Sequence, residues 1–345
     1  MKFSAGSMAL RSARLLAVPL RLLAVSAVFA ASDLTVARIQ RLLARDKFAV
    51  IRAADMKALL AALGGGEEDI SALSTFWELA EPQRDEQGKE VYPYKGTLTT
   101  YYALQSFADA FNMSRVTHPN WPAGRTIEKI DPTTVHEVSF HRVHRAWPAE
   151  ADKNSIFQAI HRLVHEVIVS PSPLEWQGEM EDGGGGQQHV EVMSTAFRVK
   201  KSDDPSSLLY HGTPGPEGVH QDACDLTLIV LLRRHNLAPA SSSNRVWHLS
   251  QPSGRPSAAD IANASGTLLV APMLLEPLDT LLVLDREVKH EARPFDVASG
   301  ALGGVAERDV LTLEASRRQR LHVANGASDD GAVLVGIPSY LKPGL

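Results

Sequence analysis

The sequence predicts a mainly β protein, a sandwich or jelly roll, flanked by α-helices on its N-terminal side. Three observations carry this expectation. Beyond Asp182-Gly183-Gly184-Gly185-Gly186 the chain falls into short apolar, β-branched runs separated by Pro, Gly, Ser and Asn turns, the pattern of strands packed in layers. Before that break, Ile156, Ile160, Leu163, Val164 and Val167 recur at helical spacing and form one apolar stripe. With 345 residues, 44% of them hydrophobic and 22% charged, the chain can bury a sizeable core.

The elements follow in order. Residues 1–32 stand apart: Lys2, Arg11, Arg14 and Arg21 are the only charges before Asp33, among many Ala, Leu, Val and Ser. A basic, acid-free leader of this kind is expected to be a removable presequence. An organelle destination, mitochondrion or plastid, is favoured, with the secretory pathway or cytoplasm as alternatives. Its apolar run, Leu22 to Ala31, is about half the ~20 residues that a membrane-crossing helix needs, so no stable span is expected in the mature protein. Residues 33–345 are expected to form a single domain, with helical support over 33–180 and a β core over about 190–316.

Ser32-Asp33 is placed to cap a helix carrying Leu34, Ile39, Leu42 and Leu43. Phe48 to Ile51 reads as a strand, and Met56 to Leu63 as a helix ended by Gly64-Gly65-Gly66. Asp85 to Lys95 is polar and reads as a loop, while Tyr101 to Phe111 and Ile156 to Val169 read as helices bracing the β core. The predicted strands are Val190 to Val199, Leu226 to Leu232, Arg245 to Leu249, Thr267 to Val270, Thr280 to Leu284 and Asp309 to Leu313. Leu237 to Asp260 is Ser- and Pro-rich and reads as an exposed loop; Ala332 to Ile337 is a candidate last strand.

Charge and cysteine usage remove several function classes. The net charge of −5 argues against nucleic acid as the main partner. Cys224 is the only cysteine, so neither an intrachain disulfide nor a thiolate metal site is available. It is expected to be a small buried hydrophobe.

The chemistry concentrates in Gly218-Val219-His220-Gln221-Asp222. Side chains at i and i+2 of an extended strand leave the same face, so His220 and Asp222 converge. They supply two thirds of a 2-His-1-carboxylate triad, which holds Fe(II) with positions left open. A distal histidine follows in Val288-Lys289-His290, after the apolar run Thr280 to Leu284, and an arginine opens the run Arg308-Asp309-Val310-Leu311. Burying two imidazoles and a carboxylate without a metal would be costly.

In that order, HxD, His, then Arg, the chain resembles the Fe(II)/2-oxoglutarate dioxygenases. Pro216 to Asp222, Arg234-His235-Asn236, the leucine-rich strand before Asp285, His290 with Pro294, and Arg308 to Leu311 give it a closer likeness, over about residues 190–315. That stretch is similar to the amino-acid hydroxylase family typified by L-isoleucine 4-hydroxylase. The resemblance implies a double-stranded β-helix, a cupin-like jelly roll. It implies His220, Asp222 and His290 as Fe(II) ligands, with 2-oxoglutarate and O2 as co-substrates. It also implies hydroxylation of a small substrate, a free L-amino acid.

Arg308 suits the distal carboxylate of 2-oxoglutarate because its planar fork matches a carboxylate bidentately; Thr312, four residues on, would assist. Arg198 and Arg234 are available cations for the substrate. The chain departs from the family at Ala223, where glycine is usual, and over Leu237 to Asn244, a loop placed to shape the substrate pocket. Two alternatives stay open: a dioxygenase acting on a peptide or protein side chain, and a non-catalytic metal-binding cupin. His161 and His165, four apart on a predicted helix, read as a solvated or partly packed face; His141, His144 and His235 read as structural.

Overall fold

A computed structural model describes residues 34–76, 100–109, 125–130, 140–145, 147, 149–171, 173–174, 190–204, 218–222, 224–239, 241–254, 266–300 and 304–317, with the backbone alone over 100–109, 125–130 and 140–145. The presequence, the Asp85–Lys95 loop, the glycine run at 183–186 and the strand expected at Ala332–Ile337 lie outside them. In chain order the elements are α1 (Val36–Asp46), β1 (Phe48–Ile51), α2 (Ala53–Ala62), α3 (Glu68–Thr75), β2 (Thr100–Asp109), β3 (Arg125–Ile130) and β4 (Phe140–Arg145). After a short 3-10 turn come α4 (Ser155–Val169), β5 (Val190–Ser202), β6 (Leu226–His235), β7 (Asn244–His248), β8 (Leu268–Val270), β9 (Thr280–Val283), β10 (Val288–Ala292) and β11 (Val305–Arg317).

The strands form two sheets, the double-stranded β-helix that the jelly-roll pattern predicts. The larger has eight strands in the order β1-β9-β6-β11-β5-β2-β4-β3; the smaller has the order β10-β7-β8. Strand β11 is central, paired along its length with β5 on one side and β6 on the other, with a bulge at Asp309/Val310 on the β6 side. Residues Val219 and His220 add to the small sheet through bridges to Gly254 and His290.

Alternate residues of the large sheet feed two cores, as strand periodicity requires. On one face Leu226, Leu228, Val230, Leu311, Leu313 and Ala315 pack against the helices. On the other, Ile229, Leu231, Leu281, Val283 and Val310 meet Val246 and Val288 of the small sheet. The helices are set by their own chemistry. The Thr35 side chain caps α1, and Lys47 ends it in a left-handed conformation whose N–H reaches Leu43 O. Asn154 caps α4 by accepting from Phe157 N, and the predicted stripe from Ile156 to Val167 is buried throughout. Gly65 lets the chain pass over α4, since a Cβ there would stand 2.9 Å from Ile156 Cδ1.

Two expectations are corrected. The helix expected over Tyr101 to Phe111 is a strand through Asp109, the last described residue there: β2 pairs antiparallel with β5 over ten residues, Thr100↔Lys200 to Asp109↔Glu191. Its Tyr, Thr and Phe content suits a strand, and a ladder to a strand about 90 positions away in sequence overrides the local helical spacing. His161 and His165 do not lie on a solvated face; both are buried in α4. His161 Nδ1 lies 2.8 Å from Phe157 O and its Nε2 lies 2.6 Å from Ser194 Oγ. Cys224 is buried as expected, with Sγ 3.1 Å from Thr227 Oγ1. Among the described residues no helix is long and apolar enough to cross a membrane.

Candidate metal centre

Gly218 takes φ +70°, a turn that glycine enters without strain, and the chain then runs extended through Val219 and His220. Reciprocal backbone bonds, His220 N to His290 O and His290 N to His220 O, both 2.9 Å, clamp the two histidine backbones together. The imidazoles lie with ring centroids 4.4 Å apart, inclined at 57°. His220 Nδ1 is 2.9 Å from Gly218 O. A carbonyl can only accept, so Nδ1 carries the proton and Nε2 offers its lone pair.

Asp222 completes the group. Its Oδ1 lies 3.3 Å from His220 Nε2 and its Oδ2 lies 3.3 Å from His290 Nε2. Thr227 Oγ1 donates to Oδ2 at 3.1 Å. One ligand atom from each of the three residues falls within 4.8 Å of the others. Burial alone would raise the Asp222 carboxyl, but His290, His220 and Thr227 outweigh it and hold the group below the usual carboxylate range. The carboxylate is therefore ionised, as metal binding requires. Two imidazole Nε2 atoms and one carboxylate converging at a partly buried point fit Fe(II) and leave room for exogenous ligands.

Behind His290 stands Asp285, fully buried, with Oδ1 3.3 Å from His290 Nδ1. Burial pushes its carboxyl up, His290 opposes that shift, and the charge on Asp222 reinforces it. Gln221 Nε2 donates to Asp285 O at 2.5 Å, tying the ligand segment to this turn.

Register places the arginines. His290 pairs with Val246 and Ala292 with Asn244, so Asn244 shares the face of His290, one two-residue step along, ~7 Å. Arg308 lies across from Val199 on β5 and Arg234 on β6, on the same inner face as Val310. Its side chain crosses between the sheets: Arg308 Nη2 donates to Asn244 Oδ1 at 3.1 Å, and the residue is only 2% exposed. Thr312 shares that face, with Oγ1 donating to Thr195 O at 3.2 Å.

Arg234 also points inward. Its Nη2 reaches Ala238 O at 2.9 Å, Ser241 O at 3.0 Å and Pro239 O at 3.4 Å. Its Nη1 is buried with no hydrogen-bond partner among the described residues, as are Asn244 Nδ2 and Ser242 Oγ. Arg198 does not join the site. It pairs with Asp309 on the opposite face of the sheet, in a bidentate contact at 2.8 Å for both bonds. His235 is exposed at the end of β6.

The comparisons with known proteins now bear on this geometry. A family profile described as 2OG-Fe dioxygenase matches residues 140–314, more than half of the chain. The chain belongs to the 2OG-Fe dioxygenase family. No curated protein sequence matches it significantly. Among solved structures, the Fe(II)/α-ketoglutarate-dependent dioxygenase TqaL is 17% identical with a TM-score of 0.54, over 87% of this chain and 94% of that one. A BsmA homologue from Methylobium petroleophilum is 18% identical at a TM-score of 0.53, over 82% and 94%. The protein titled IDO from Bacillus thuringiensis is 12% identical at 0.50, over 83% and 100%. At these identities the likeness is one of fold.

This dioxygenase is thus an enzyme that uses Fe(II), 2-oxoglutarate and O2, and the non-catalytic cupin reading falls away. Sequence reasoning missed Thr227, Asp285, Ser242 and Asn244. An acidic residue ending an apolar strand five positions before His290 was the available signal for Asp285; Asn244 carried none, because its partner Arg308 is 64 positions away.

Proposed function

We propose that this dioxygenase hydroxylates a free L-amino acid, with His220, Asp222 and His290 as the Fe(II) ligands and Arg308 as the 2-oxoglutarate anchor. One observation carries the reading: Arg308 reaches across the sandwich to Asn244, on the face and strand neighbourhood of His290. A buried guanidinium in that position, beside unpaired donors on Asn244 Nδ2 and Ser242 Oγ, is suited to a carboxylate. The distal carboxylate of 2-oxoglutarate would take this end, and its keto-acid end would face the ligand triad. Arg234, neighbour to Arg308 on the same face, keeps Nη1 for a second carboxylate, that of the amino acid. Its Nη2 meanwhile braces the Ala238–Ser241 segment, so the loop that departs from the family pattern is built onto a substrate-facing cation.

Bound Fe(II) supplies activation of O2. One oxygen atom enters the substrate C–H bond to give an alcohol; the other enters the succinate left when 2-oxoglutarate loses CO2. The protein orients both acids and excludes water.

The test is succinate release by the Fe(II)-loaded protein across a panel of free amino acids, with mass spectrometry of the product. One amino acid should stimulate release and gain one oxygen atom. Turnover with a peptide and none with free amino acids would overturn the substrate class. In the same assay Arg308→Ala should raise the Michaelis constant for 2-oxoglutarate on the order of tenfold or more, the loss of a charge-assisted contact worth roughly 1.5–3 kcal/mol. An unchanged constant would move the anchor to Arg234.

A further inference from the structure

We propose that Asp285 is a positioning residue for the metal centre, holding the His290 ring with Nε2 turned to Asp222 and strengthening it as a ligand. The inference rests on the ligand assignment above and adds to it a residue that touches neither metal nor substrate. Asp285 sits at the end of β9, where Leu281, Leu282 and Val283 are buried on both faces and the next turn carries the chain back into β10. The carboxylate there is fully buried, where an acidic side chain is rarely found unless paired. Its Oδ1 faces His290 Nδ1 at 3.3 Å, within ion-pairing distance.

The two histidines are therefore held by different means. His220 Nδ1 meets a backbone carbonyl at 2.9 Å, whereas His290 Nδ1 meets a carboxylate. A carboxylate on the far nitrogen fixes the tautomer and orientation of an imidazole and makes it a better electron donor to a metal, an effect worth about 10- to 100-fold in affinity. The centre is asymmetric: His290 is the stronger nitrogen ligand, and its strength can be altered by substitution, as that of His220 cannot. Gln221, next to both His220 and Asp222, donates to the Asp285 carbonyl, so the supporting carboxylate and the ligand segment are held in one unit.

The test is anaerobic Co(II) titration of the apo full chain, read by the ligand-field absorption of the bound ion, with the Tm of each apo-protein as a second readout. Asp285→Asn keeps the shape and an acceptor oxygen but removes the charge; Asp285→Ala removes both. Co(II) affinity should fall in the order wild type, Asn, Ala, by about 10- to 100-fold at the end of the series, with a shifted absorption band and an apo Tm for Asp285→Asn no lower than wild type. Wild-type affinity in both variants would overturn the proposal while leaving the ligands intact. Failure of the wild type to bind Co(II), or of His290→Ala to lose it, would overturn the ligand assignment as well. Should both variants unfold, nitrogen NMR of the wild-type imidazoles decides: the proton of His290 must reside on Nδ1, and finding it on Nε2 would refute the proposal.

Discussion

Two sets of histidines in this dioxygenase show what separates a structural imidazole from a candidate ligand. In α4, His161 has both ring nitrogens satisfied, Nδ1 by the Phe157 carbonyl one turn back and Nε2 by Ser194 on β5. At the candidate metal centre, His220 Nδ1 lies 2.9 Å from Gly218 O and His290 Nδ1 lies 3.3 Å from Asp285 Oδ1, and both rings present Nε2 to a single carboxylate. Burial does not distinguish His161 from His290, since the first is wholly inaccessible and the second nearly so, whereas His220 is only half-buried. The difference is where the second nitrogen points. One ring locks a helix to a sheet, and the other two leave a shared gap at a charged oxygen.

The largest effect expected from that difference is loss of function without loss of fold. His290→Ala, His220→Ala or Asp222→Ala should each abolish succinate formation and metal binding while apo circular dichroism and Tm stay near wild type. Normal turnover by His290→Ala would erase the distinction drawn above. Substitution in α4 should do the reverse. His161→Ala leaves Ser194 Oγ and a ring-sized void inside the core, so it should cost about 3 kcal/mol of stability. Co(II) affinity of the folded fraction should not move. Urea unfolding and metal titration of the same variant check both halves.

A smaller effect follows from titration of the same ring. Burial, opposed by the Phe157 bond and by Asp152, pulls His161 down from 6.5 to about 4. The ring is neutral in the folded chain over an interval where the unfolded chain binds a proton. Its contribution is therefore present above the unfolded value and lost as pH falls from 6.5 towards 4, by about 3 kcal/mol at most. His161→Gln should flatten the acid limb of the stability curve over that interval. An unchanged slope would place the acid sensitivity elsewhere.

What was legible in the sequence divides along the same line. The ligand triad could be read because two of its members are two residues apart and the third follows an apolar strand that fixes its position in the sheet. The strands after the glycine run were legible from short apolar runs between turn residues, and α4 from its stripe. Features set by distant pairing were not legible. Tyr101, Leu104, Ala108 and Phe111 fall at helical spacing, yet the segment through Asp109 is a strand, because β5 offers it a ten-residue ladder. Arg198 reads as an available cation, but Asp309, 111 positions away, takes one edge of its guanidinium through Nε and Nη2. Asn244 looked like a loop residue until its amide was found against Arg308, 64 positions on. Residue type told which groups could act; only the register of β11 between β5 and β6 told which face they act on.

The backbone clasp between His220 and His290 has a consequence for the order of assembly. It joins positions 70 apart through two main-chain bonds that involve neither imidazole. Bringing such distant segments together belongs to the slow end of folding. Once closed, the clasp presents both imidazoles as a ready-made cradle. Main-chain pairing thus sets the two rings side by side, with their centroids 4.4 Å apart.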